Sequence, residues 1–156
     1  DTLQNAAGVP PAQVGWWLMG FGAVGLVGNW LGGRWVGSHP LGVTALFSTL
    51  LAVGMAASMA AVGDRFWLCV ALAVWGVANT ALYPICQIRV MQAASHAKAL
   101  AGTLNVSAAN AGIGLGAVLG GLALPLWGPA SVGYVAAAIA LLAVAAVPLV
   151  ARLAVK

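Results

Sequence analysis

Charge is almost absent from long stretches of this chain. Residues 2–33, 35–63, 66–88 and 99–151 contain no Asp, Glu, Lys or Arg. Roughly a quarter of an ordinary soluble domain is charged. Here 5% is, while 63% of the 156 residues are hydrophobic and the mean hydropathy is +1.03. Such a composition cannot solvate a globular surface. A bilayer span needs about 20 apolar residues. The first three runs hold one span each. The fourth holds two, divided by "PLWGPAS" at 125–131, where Pro125, Gly128 and Pro129 interrupt it. The sequence therefore predicts an all-α membrane protein with five transmembrane helices at about 13–34, 42–62, 66–91, 100–124 and 131–152. The runs are apolar nearly all round, as lipid-embedded helices must be. A β-barrel would alternate over shorter segments.

The few charges then orient the spans. One face receives Arg34, Arg89, Lys98, Arg152 and Lys156, with His39, His96 and no acid. The other receives Asp1, Asp64 and Arg65. This asymmetry predicts an extracytoplasmic N-terminal loop at 1–12. The connections at 35–41 and 89–99 and the tail at 153–156 are then cytoplasmic. Trp16, Trp17, Trp67 and Trp127 fall near outer helix ends and Trp30 and Trp35 near an inner end, as in an interfacial aromatic belt. Trp75 falls mid-span, where it needs a packing or cavity role. The opening "DTLQNAAGVPPAQ" is polar, lacks an initiator Met and has no basic region before its first apolar run. It reads as an interior loop and not a signal peptide, so the chain is expected to be part of something longer.

Chemistry-bearing residues are sparse. Cys69 and Cys86 lack C-x-x-C spacing and read as packing residues. His39 and His96 have no carboxylate or cysteine beside them, so no metal site is expected. No paired carboxylates and no nucleophile–base pair can be assembled, so no catalytic site, enzyme activity or cofactor is expected. The scattered basic residues do not form a nucleic-acid patch. "GFGAVG" (Gly20 to Gly25) matches a dinucleotide fingerprint but lacks the preceding strand and the following acid, so helix packing explains its glycines. Small residues recur every four positions at Gly28 and Gly32, at Gly33 and Gly37, and at Gly112, Gly116 and Gly120. Each set makes a groove that a neighbouring helix can approach.

Polar residues within spans are costly and informative. In the third helix Asn79, Tyr83 and Gln87 recur every four residues and form one stripe, with Thr80 close beside it. Pro84 removes a backbone bond within that stripe. In the fourth, Asn105, Ser107 and Asn110 precede the glycine run. Interhelical hydrogen bonding accounts for such residues singly; a stripe of three also fits the wall of a water-filled cavity.

"GLVGNWLGGRWVGSHPLG" resembles the cytoplasmic motif that follows the second helix of each half in the major facilitator superfamily. In the bacterial drug and sugar efflux branch, typified by arabinose-efflux permeases, that motif reads G-N-x-x-G-G-R-x-x-D-R. Gly28, Asn29, Gly32, Gly33 and Arg34 match it. Gly37 and Ser38 stand at its Asp and second Arg. "YPICQIRVMQAASHAKALAGTLNVSAANAGIGLGAVLGGLAL" resembles the tenth and eleventh helices of that branch, with Asn110, Gly112, Gly116, Gly120 and Gly121 matching N-x-G-x-x-x-G-x-x-x-G-G. "AGVPPAQVG" resembles the outer loop after the seventh helix. The resemblance covers nearly the whole chain as helices eight to twelve of a twelve-helix transporter, a C-terminal bundle lacking its first helix.

The resemblance implies secondary active efflux in the bacterial inner membrane: a proton-coupled antiport of a small molecule such as a drug, sugar or nucleobase. It implies a cytoplasmic gating motif at Gly28, Asn29, Gly32, Gly33 and Arg34. Asn79, Tyr83, Gln87, Asn105 and Asn110 are the substrate-cavity candidates, and Gly112, Gly116, Gly120 and Gly121 the helix-packing set. Its partners would be the lipid bilayer, a small-molecule substrate and the N-terminal half of the transporter, with no nucleic acid. Proton coupling needs a titrating group in the membrane. The five spans hold no acid, so that group is expected in the rest of the transporter. The alternative is a small, complete five-helix membrane protein with a structural or interaction role, oligomerising through its glycine faces.

Overall fold

The computed structural model describes residues 11–94 and 96–154. They form five helices: α1 (Pro11–Trp35), α2 (Pro40–Ala60), α3 (Arg65–Ala93), α4 (Lys98–Trp127) and α5 (Pro129–Ala154). No strand occurs among the described residues. Four of the helices are long and apolar enough to cross a membrane: α2, α3, α4 and residues Ser131–Val150 of α5. The fifth, α1, has 25 residues, about 37 Å of rise. The fold is an all-helical partial bundle of membrane-spanning length. Residues 1–10 of the expected outer loop, the end of the tail at 155–156 and the side chain of Trp17 lie outside the described residues.

Local chemistry decides where each helix stops. Ser38 Oγ donates to Trp35 O at 3.1 Å and closes the end of α1. Two residues later Pro40 opens α2 at its first position, where the missing N–H costs nothing. Gly63, with φ +112, turns the chain out of α2. Asp64 then caps α3, its Oδ1 accepting from Phe66 N at 3.0 Å and Trp67 N at 3.3 Å. The α4–α5 break falls at Gly128, whose φ of +80 only glycine adopts easily. Pro125 therefore lies inside α4 and not at the break, and α4 runs three residues past the expected 124. Within the spans, hydroxyls satisfy themselves on the preceding turn, as Thr49 does on Ala45 O at 2.8 Å and Thr103 on Ala99 O at 3.0 Å.

The centre of the bundle is α3. It packs against α1, α2 and α4, while α5 lies on α2 and touches α4. The buried core comprises Val36 after α1, Val43 and Phe47 of α2, and Ala78, Ala81 and Ile85 of α3. It lies toward the end of α3 away from Asp64. Small residues make this packing close. A Cβ on Gly32 would stand 2.5 Å from the Ala81 carbonyl oxygen, and one on Gly28 would overlap Thr80 Oγ1 and Val77 O. On the α2 side a Cβ on Gly54 would stand 2.7 Å from Trp75 N. That approach gives mid-span Trp75 its packing role. By contrast α4 is nearly uncovered, with only Ala101, Gly102 and Ala123 buried.

Candidate functional site

The polar residues singled out in the sequence lie along α3 and α4. Asn79 and Tyr83 are exposed, and Gln87 is half-buried. Spacing of four residues on one helix sets them in a line. That line starts in the open and ends at the α3–α4 contact, where Asn105 Nδ2 donates to Gln87 Oε1 at 2.8 Å. Gly102, one turn before Asn105, makes room for the amide. A Cβ there would stand 2.8 Å from Gln87 Nε2. The structure thus brings Gln87 and Asn105 together. Asn110 lies further along α4, exposed, and joins neither. Thr80 turns away from the stripe: its hydroxyl donates to Gly76 O at 2.8 Å and its methyl faces Gly25.

The glycine motif at the end of α1 divides by face. Gly28 and Gly32 are buried against α3, whereas Asn29, Gly33 and Arg34 are exposed. The Arg34 guanidinium lies over the Trp30 ring at 5.5 Å, a cation–π contact between residues one turn apart. Trp35 continues the aromatic group, its ring centroid 6.3 Å from that of Phe47. The second glycine set is placed differently. A Cβ added at Gly112, Gly116 or Gly121 would meet nothing within 4 Å, and one at Gly120 would meet only Val132 Cγ1 at 3.5 Å. The groove they form is open, bordered by exposed Ile113, Leu115 and Leu119. Cys69, expected to pack, is also exposed.

Sequence reasoning misses Arg89. The sequence sets it where the third helix, at 66–91, meets the connection at 89–99, and gives it no partner. The helix runs to Ala93, and half-buried Arg89 donates through Nη1 to Thr44 Oγ1 of α2 at 2.8 Å. A hydroxyl on one helix facing a cation 45 positions away leaves no mark in local periodicity. Among the described residues no group of three metal-ligating side chains comes together. What the arrangement offers chemically is hydrogen bonding: amides and a phenol on an apolar wall.

Comparison with known proteins agrees with this architecture. The profile of the Major Facilitator Superfamily matches residues 1–155. An "Inner membrane transport protein YdhP" of Escherichia coli O157:H7 is 35% identical over 132 residues, 85% of this chain and 33% of the relative. The corresponding protein of Escherichia coli strain K12 is 34% identical over the same share. A "Probable sugar efflux transporter" of Helicobacter acinonychis is 29% identical over 126 residues, 81% of this chain and 32% of that protein. The chain thus spans about a third of the length of the curated relatives it matches. No solved structure matches it significantly. With five apolar helices, the glycine seam and a profile match along almost its whole length, this chain belongs to the Major Facilitator Superfamily.

Proposed function

We propose that this chain is the substrate-facing part of a secondary transporter that exports a small molecule, a drug, sugar or nucleobase, across the bacterial inner membrane. The observation that carries the proposal is the polar line on α3. Asn79 and Tyr83 stand exposed on an otherwise apolar span, and Gln87 is held by Asn105. Exposed amides facing lipid would be costly; facing a wet cavity between transporter halves they bind substrate. Further helices of the same superfamily complete that cavity from the other side. The names of the relatives, transport and sugar efflux, support the class. Positive charge at the Arg34, Arg89 and Arg152 ends favours a cytoplasmic position for those ends.

Proton coupling fits this reading with one condition. The acids of the sequence are Asp1 and Asp64, and Asp64 is engaged as a helix cap. The coupling carboxylate therefore belongs to another part of the transporter, and the 156 residues alone move nothing. The test is export of a substrate panel by cells expressing the complete gene product, with Asn79→Ala and Gln87→Ala at matched expression. A changed substrate range supports the cavity. Unchanged range and rate return the line to helix packing. Proton-driven flux by the reconstituted 156-residue chain alone would overturn the coupling argument.

A further inference from the structure

We propose that Arg89, oriented by Thr44 at the end of the α2–α3 seam away from Asp64, seats the phosphate of an anionic phospholipid. Arg89 is half-buried, and its Nη1 donates to Thr44 Oγ1 at 2.8 Å. The Thr44 hydroxyl spends its own proton on Pro40 O at 2.7 Å. It is therefore fixed as an acceptor and holds the guanidinium in one orientation. A guanidinium has five N–H donors, and this is the one hydrogen bond it makes among the described residues. No counter-charge answers it there. Asp64 caps the opposite end of the same helix, 25 residues away in sequence and about 37 Å in rise. A partly desolvated cation without a counter-ion is costly.

Position and surroundings select the anion. Arg89 lies four residues before the end of α3 and Thr44 four residues after the start of α2. Both are about 6 Å inside the helix ends, level with the headgroup layer of a bilayer. The positive end of α2 is adjacent, and its N-cap residue His39 makes no side-chain capping bond. Within one turn of the pair along the same two helices are Val43, Phe47 and Ile85 of the buried core and Ile88, which packs against it. A cation at a headgroup boundary, backed by apolar side chains, fits a phosphodiester that arrives with acyl chains better than a free anion. The argument needs only that these helices span a bilayer, so it stands or falls separately from the transport reading.

The test titrates purified protein in neutral micelles with phosphatidylglycerol, phosphatidylcholine or inorganic phosphate and reads the thermal unfolding midpoint. Phosphatidylglycerol should raise the midpoint, and the other two should not. Arg89→Gln should weaken the apparent phosphatidylglycerol affinity about fivefold, and Thr44→Val should weaken it in the same direction. Arg34→Gln, whose guanidinium rests on Trp30, should leave it unchanged. Equal losses in Arg89→Gln and Arg34→Gln would reduce the effect to general surface charge and overturn the seat. So would an equal response to phosphatidylcholine or inorganic phosphate. A flat phosphatidylglycerol titration would do so too, pointing to a carboxylate from elsewhere in the protein. Should Arg89→Gln fail to fold, Thr44→Val decides, because it keeps the shape of the seat: undiminished affinity refutes the proposal.

Discussion

Gly32 and Gly33 are neighbours in sequence and opposites in space, which makes them a test of the α1–α3 seam. A methyl group added at Gly32 would stand 2.5 Å from the Ala81 carbonyl oxygen and 3.0 Å from its Cα. Carbon and carbonyl oxygen rest at about 3.3 Å, so the shortfall is about 0.8 Å. The obstacle is backbone, which cannot rotate aside as a side chain would. The two helices must separate along the seam, which also loosens the contact at Gly28. Overpacking of this kind costs about 1–3 kcal/mol. The higher helix propensity of alanine returns at most about 1 kcal/mol. Gly32→Ala should therefore destabilise by up to about 2 kcal/mol. At Gly33 nothing lies within 4 Å of the added carbon, so Gly33→Ala should stabilise by about 0.5–1 kcal/mol. Unfolding of the purified protein in mixed micelles of rising dodecyl sulfate content, followed by tryptophan fluorescence, reads both. Midpoint shifts of the same sign and size in the two variants would show that the glycines do not set the helix separation.

Other contacts make separate predictions. Gln87→Ala and Asn105→Ala should each lower stability, and the double variant should reveal a coupling of about 0.6 kcal/mol, the usual worth of an interhelical hydrogen bond in a bilayer; a double-mutant cycle in the same micelles measures it. Asp64→Ala should cost about 1 kcal/mol through the lost cap, whereas Asp64→Asn should be nearly neutral because asparagine caps as well. For orientation, single cysteines at Val62 or Ser38, placed in a background with Cys69 and Cys86 replaced, should differ in intact cells. An impermeant thiol reagent should label the first and spare the second, and the reverse pattern would invert the proposed topology.

The spans are legible in the sequence because a bilayer acts on composition: a run without charge and about 20 residues long has few other fates. Helix ends are less legible, since single contacts decide them. Pro125, Gly128 and Pro129 together read as a break, and of these it is Gly128 that ends α4, where the backbone needs a positive φ. The glycine spacing announces close packing without saying which glycines pack. Gly28 and Gly32 press on α3, while Gly112 and Gly116, at the same four-residue interval, face open space. A helix repeat fixes which residues share a face, not what covers that face. The partner of Arg89 goes unread for the same reason, because it is distant in the chain.

The polar line on α3 shows what this limit means for experiment. Periodicity alone makes Asn79, Tyr83 and Gln87 equivalent. The α3–α4 crossing makes them unequal. Gln87 is tied to Asn105, so its substitution changes helix association and any cavity chemistry together. Asn79 is exposed and makes no side-chain hydrogen bond among the described residues, so its substitution leaves the bundle's contacts intact. A change in substrate range on Asn79→Ala with unaltered unfolding therefore speaks for a cavity alone. The same change on Gln87→Ala needs the double-mutant cycle before it can be read.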